Sequence, residues 1–153
     1  MKRTAVLVSL LAICGIFAAT PSQAQWQFGL RTGVYTDDSD LFLGAEFVTP
    51  MGPGPWKFNP NFEWAFVDNG DLWTLNADFT FDLAPTGAVD LWVGGGPALV
   101  VRNRDRGDDE TDPGLNLLAG VGFLRGRAVS PYFLAKILVS DNSQAILGFG
   151  VRF

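Results

Sequence analysis

The 153-residue chain contains no histidine, and its only cysteine, Cys14, lies near the start. A missing imidazole removes the usual general base of neutral-pH hydrolysis and the commonest nitrogen ligand for metals. With no cysteine beyond Cys14, disulfide and thiol chemistry are excluded from everything downstream. Charge is scarce too: 11 Lys and Arg face 16 Asp and Glu, a formal net charge of −5. No basic stripe exists, so nucleic acid is not a partner. No residue pattern calls for a cofactor or a metal. Long apolar runs are confined to one place, Ala5 to Ala19.

That run belongs to a leader. Lys2 and Arg3 give a basic start, and Ser22-Gln23-Ala24 offers small residues at the two positions a signal peptidase reads. The pattern predicts a signal peptide over 1–24, cleaved after Ala24, and a single domain over 25–153. The apolar run falls short of the roughly 20 residues a helical span needs. Cys14 follows Ile13, where a lipoprotein acceptor site wants a small residue. Losing Lys2 and Arg3 leaves 9 basic against 16 acidic residues, a charge of −7.

What the chain has in quantity is glycine, phenylalanine and alternation. Its last stretch, Gln144 to Phe153, places Ala145, Leu147, Phe149, Val151 and Phe153 at every second position. A period of two means an extended strand with one apolar face. Seven more such segments precede it, near 26–36, 40–49, 56–67, 71–83, 89–102, 114–125 and 129–140. In the third, Trp56, Phe58, Pro60, Phe62, Trp64 and Phe66 alternate with Lys57, Asn59, Asn61, Glu63 and Ala65. Each segment matches or slightly exceeds the roughly 9–11 residues with which a tilted strand crosses a bilayer.

Volume decides which face points outward. The apolar face carries about forty residues, about fifteen of them aromatic, and the interior of an eight-stranded barrel has no room for them. The other face is slim, with Gly29, Gly33, Gly44, Gly94, Gly120, Gly122, Gly148 and Gly150. The slim face therefore lines the inside and the bulky face meets lipid. The expected fold is all-β: an eight-stranded antiparallel up-and-down transmembrane β-barrel.

Parity then sends Arg31, Lys57, Lys136 and Arg152 inward with Glu46, Glu63, Asp78, Asp82 and Asp90. Charges withdrawn from water persist when paired, so a lumenal salt-bridge network is expected. Leu118, Leu124, Leu134, Leu138 and Ile146 share that face with Tyr132, and with Trp92 they form an apolar plug or a greasy path. Gly94-Gly95-Gly96-Pro97 is expected to mark a bulge or bend with a slip of phase. Trp26, Trp56 and Phe153 fall at one membrane interface, and Trp64, Phe66 and Trp73 at the other. The longest outer loop, Asn103 to Pro113, holds an acidic cluster and the tripeptide Arg106-Gly107-Asp108, which reads first as a solvated tip.

The leader, the eight amphipathic segments and the Gly150-Val151-Arg152-Phe153 ending resemble the small outer-membrane β-barrel proteins, the OmpA-barrel and OmpX-like porin-family group. The resemblance implies location in the bacterial outer membrane. It also implies contact with its lipid and lipopolysaccharide, and reading of Phe153 by the barrel-assembly machinery. Short outer loops and the expected lack of a following peptidoglycan-binding domain set the chain apart from adhesive or wall-tethered members. The expected function is a structural or surface-interaction role in the cell envelope, not an enzyme. A narrow channel for small solutes, whether hydrophobic or not, and a soluble, lipocalin-like periplasmic binding barrel are the alternatives.

Overall fold

The computed structural model describes residues 26–37, 39–67, 70–84, 87–104 and 109–153, residue 104 by its backbone alone. The expected cleavage point at Ala24 and the Arg106-Gly107-Asp108 tripeptide lie outside the described residues. Eight strands follow one another: β1 (Gln27–Tyr35), β2 (Asp40–Pro50), β3 (Trp56–Val67), β4 (Gly70–Asp82), β5 (Val89–Arg104), β6 (Glu110–Phe123), β7 (Ser130–Val139) and β8 (Gln144–Arg152). Each pairs antiparallel with its neighbour, and β8 pairs back onto β1 to close the barrel. Closure leaves no edge strand unpaired. The strand ends Pro50, Trp56, Asp82, Val89, Phe123 and Ser130 lie at the end where β1 begins and β8 finishes, here called the terminal end. The strand ends Tyr35, Asp40, Val67, Gly70, Arg104, Glu110, Val139 and Gln144 lie at the opposite end, the loop end.

The period-two pattern sets the facing on every strand. On β3, Asn59, Asn61, Glu63 and Ala65 are buried while Trp56, Trp64 and Phe66 are exposed. On β8, Gln144, Ile146, Gly148, Gly150 and Arg152 are buried, and Leu147 and Phe149 are exposed. Phe79 and Phe149 point outward, whereas Asn61 and Asp78 are buried inside. The large apolar groups therefore coat the barrel, and the polar groups fill it.

Three expectations need correction. The Gly94–Pro97 stretch does not slip the phase: Asn76↔Ala98 and Phe79↔Gly95 lie on one register. A Cβ on Gly94 or Gly96 would fall 2.2 Å from the Phe79 carbonyl oxygen or 2.0 Å from that of Ala77. The glycines thus let β5 press against β4, and no bulge is needed. Leu124 is 55% exposed, not inward. It has a positive φ of 58° in the turn, where strand parity no longer applies. The β5–β6 loop is shorter than Asn103 to Pro113, because Arg102 pairs with Glu110 and Leu99 with Pro113. Ladder hydrogen bonds extend this hairpin past the apolar residues, since an antiparallel ribbon tolerates polar side chains on both faces in water.

Pro60 and Pro97 interrupt one ladder each and leave its register unchanged. The β2–β3 pairs Glu46↔Asn61 and Thr49↔Phe58 lie on the same diagonal, with the missing pairs opposite Pro60 and Asn59. A residue without an N–H costs hydrogen bonds there but does not displace the strand.

Candidate functional site

The barrel interior is layered. Beneath the loop end sits an apolar cluster of Tyr35, Phe42, Ala65, Leu72, Ala98, Val100, Leu138 and Ile146. Towards the terminal end, Trp92, Leu118, Tyr132 and Leu134 form a second cluster. Glycines admit the large rings. A Cβ on Gly120 would lie 2.2 Å from Trp92 Cζ2, and one on Gly150 would lie 2.3 Å from Tyr132 Cζ. Each glycine is the direct cross-strand partner of the ring it accommodates.

Between the clusters lies the ionic layer. Glu63 is its hub: Lys136 Nζ is 2.7 Å from both carboxylate oxygens, and Arg31 Nη2 is 2.8 Å from Oε1. The hydroxyls of Tyr35 and Thr74 donate to Glu63 Oε2 at 3.0 and 3.1 Å. Glu46 accepts from Arg152 Nε at 2.8 Å and from Asn59 Nδ2 at 2.7 Å, and Arg31 Nη1 lies 3.8 Å away. Arg152 also stacks, its guanidinium carbon 4.5 Å from the Trp92 ring centre and 4.4 Å from that of Tyr132. Such a cation over two ring faces is held by their quadrupoles as well as by its carboxylate.

Amides carry the network around the wall. Asn61 donates to Asp78 Oδ2 at 2.8 Å, Asn76 donates to Asn61 at 2.9 Å, and Asn116 donates to Asn76 and to Asp78 Oδ1, both at 2.8 Å. Arg31 Nη2 donates to Asn61 Oδ1. Every carboxylate of this layer therefore has a cationic or amide partner, the condition under which buried charge is tolerated.

Lys57, Asp82 and Asp90 stand apart from this layer, at the terminal mouth. Lys57 Nζ is 2.7 Å from Asp82 and 3.8 Å from Asp90. A residue outside the expected set joins them: Arg125 Nη2 reaches Asp82 at 3.2 Å and Nη1 reaches Asp90 at 3.4 Å. Arg125 follows Leu124, whose left-handed backbone reverses the alternation and turns the next side chain over the mouth. Beside this cluster, a cleft of about 20 Å³ lined by Asp90, Trp92, Arg125, Tyr132 and Arg152 has room for one water molecule.

The barrel's outer surface holds the remaining singled-out residues. Trp26 packs on Phe47 at 4.8 Å and Trp56 on Phe81 at 5.1 Å, both towards the terminal end. Trp64 and Trp73 are cross-strand partners with ring centres 6.0 Å apart, nearer the loop end. The Trp64 indole N–H donates to Asp71 at 3.0 Å. Phe153 is 43% exposed, and its backbone N–H donates to the Phe28 carbonyl at 2.8 Å. Among the described residues, no three acidic or sulfur ligands converge as a metal site. Glu63 and Asp78 are buried among their partners.

A closed eight-stranded antiparallel barrel with a polar, bridged interior and an apolar coat defines the structural class. Solved structures similar to it include small barrels of the bacterial outer membrane. The N-terminal β-barrel domain of Pseudomonas aeruginosa OprF superposes with a TM-score of 0.70 at 14% identity, over 86% of this chain and 97% of that one. Neisserial surface protein A (NspA) gives 0.63 at 16% identity, over 83% and 92%. Ail, the attachment invasion locus protein of Yersinia pestis, gives 0.50 at 15% identity, over 84% and 96%. No protein-family model and no curated protein sequence matches the chain. The fold is that of the small eight-stranded outer-membrane β-barrels.

Proposed function

We propose that the protein spans the bacterial outer membrane as a barrel with a packed, ion-bridged lumen, and serves the envelope as a structural or surface-interacting element. The observation that carries this reading is the segregation of charge. On the described strands, outward positions from Phe28 to Val34, Trp73 to Phe81 and Leu115 to Phe123 are apolar, small or hydroxylic, while Arg31, Glu46, Glu63, Asp78, Lys136 and Arg152 are buried. A soluble carrier would show the reverse, because water tolerates no such continuous apolar coat. Lipid is the solvent that fits it, with outer-membrane phospholipid and lipopolysaccharide as the contacting partners.

The reading continues to the two chain ends. A leader cleaved after Ala24 would export the chain, and the barrel-assembly machinery would read Phe153 on the closing strand. The names of two structural neighbours, a surface protein and an attachment protein, favour a surface role. The short loop-end connections favour a structural one. Catalysis is not part of the proposal, since Glu46, Glu63, Asp78, Asp82 and Asp90 are each engaged by a cation or an amide.

Conductance tests the packed lumen. Two apolar clusters and an ionic layer inside the barrel support a packed lumen, as expected for barrels of eight strands. Reconstituted into planar bilayers, the protein should give no steady single-channel openings. Reproducible openings would replace this reading with that of a narrow channel. Recovery of the protein from the soluble periplasmic fraction, without detergent, would overturn the membrane placement itself.

A further inference from the structure

Seven of the eight strand pairings join strands consecutive in the chain, and the intervening turn helps to fix their register. The eighth, between β1 and β8, has no turn. Its inward positions are also the poorest in side chains. Gly29, Arg31, Gly33 and Tyr35 face Arg152, Gly150, Gly148 and Ile146 in turn, so Gly33 meets Gly148 directly. Glycine-rich strands specify register weakly. A slip of one residue would turn the apolar face inward, but a slip of two preserves every facing.

The outward groups at this seam, Leu30, Thr32 and Val34 against Val151, Phe149 and Leu147, carry no charge, so no ion pair among them fixes the register. What does distinguish one register from another reaches across the lumen. Arg152 on β8 bridges over β1 to Glu46 on β2, 106 residues away in the chain. Lys136 on β7 spans the barrel to Glu63 on β3, 73 residues away. Arg31 on β1 contacts both acids. A two-residue slip displaces Arg152 by roughly 7 Å along the strand, which ends its contact with Glu46. Slipped one way, it sets Arg152 opposite Arg31. Slipped the other way, it sets Arg152 opposite Gln27, whose partner on β2 is Val48 rather than Glu46.

We infer that the cross-lumen ion pairs form a clasp that selects the closing register of the barrel. In this arrangement Glu46 and Arg152 set the seam, and Glu63 with Lys136 holds the two halves of the wall at the matching stagger. The backbone ladder closes the barrel, and the ions choose where.

Cysteine pairs in the full chain carrying Cys14→Ser read the register directly. Leu30→Cys with Val151→Cys reports the native seam. Leu30→Cys with Phe149→Cys, or with Phe153→Cys, reports a slip of two either way. In refolded protein the native pair should cross-link almost alone. Adding Arg152→Gln or Glu46→Gln should raise the ratio of slipped to native product by at least about tenfold, since a buried ion is left uncompensated in the native register. Arg152→Lys, which keeps the charge, should stay near the starting ratio. Should Arg152→Gln yield no closed barrel while Arg152→Lys closes in the native register, the clasp is required for closure and the inference stands. An unchanged ratio in folded Arg152→Gln and Glu46→Gln barrels overturns it. So does failure of both Arg152 variants to close, because shape rather than charge would then be the determinant.

Discussion

Gly148 and Gly150 sit two residues apart on the same inner face, yet they have opposite roles. A methyl group on Gly150 would fall 2.3–2.5 Å from three atoms of Tyr132, which is fully enclosed and cannot withdraw. A methyl on Gly148 would meet its nearest neighbours at 3.5 Å, an ordinary contact. Gly150→Ala should therefore lower stability by about 1–3 kcal/mol, the usual cost of overfilling a packed interior. Gly148→Ala should be neutral or gain about 0.5–1 kcal/mol by restricting the unfolded backbone. Urea unfolding of the two variants in lipid vesicles checks the contrast, and equal midpoints would refute it. At this scale the sequence was partly transparent. Parity alone locates Arg31, Glu46 and Glu63 inside, but Asn59, Asn61, Thr74, Asn76 and Asn116 were equally inward and equally part of the network. Counting charges without their amide and hydroxyl neighbours hid them. Arg125 was hidden for another reason: its direction depends on the backbone of Leu124, not on alternation.

At the scale of the strand, the apolar face reads as lipid-facing, and depth should then matter. Leu75 lies near the middle of β4 and is 53% exposed, whereas Val89 opens β5 at the terminal rim. An arginine at the midplane of a membrane barrel costs about 2–4 kcal/mol, and near the interface about 0–1 kcal/mol. Leu75→Arg should accordingly lower the unfolding free energy in vesicles by the larger amount and Val89→Arg by the smaller. If water bathed this surface, both changes would be close to neutral. Strand number and facing were legible in the chain because a half-buried strand must alternate. Strand ends were less so: β6 begins at Glu110, in a polar stretch whose pairing with Arg102 owes nothing to apolar periodicity. The Gly94–Pro97 stretch misleads in the opposite sense, since glycines that often mark a bulge here allow close approach to β4.

The whole molecule shows what no single strand contains. Lys136 and Glu63 occupy strands on opposite walls, and only closure at one stagger brings them to 2.7 Å. Which acid meets which base is a property of the completed cylinder and cannot be deduced from strands taken one by one. The same closure divides the tryptophans. Trp26, Trp56, Trp64 and Trp73 are 37–59% exposed on the coat, and Trp92 is 3% exposed in the interior. Emission from this protein should therefore have two populations. Brominated acyl chains should quench the four coat indoles, and the residual light should vanish on Trp92→Phe. A residual that survives that substitution would mean another indole is sheltered. One ring enclosed by Gly120, Tyr132 and Arg152 thus becomes a built-in reporter of whether the cylinder is intact.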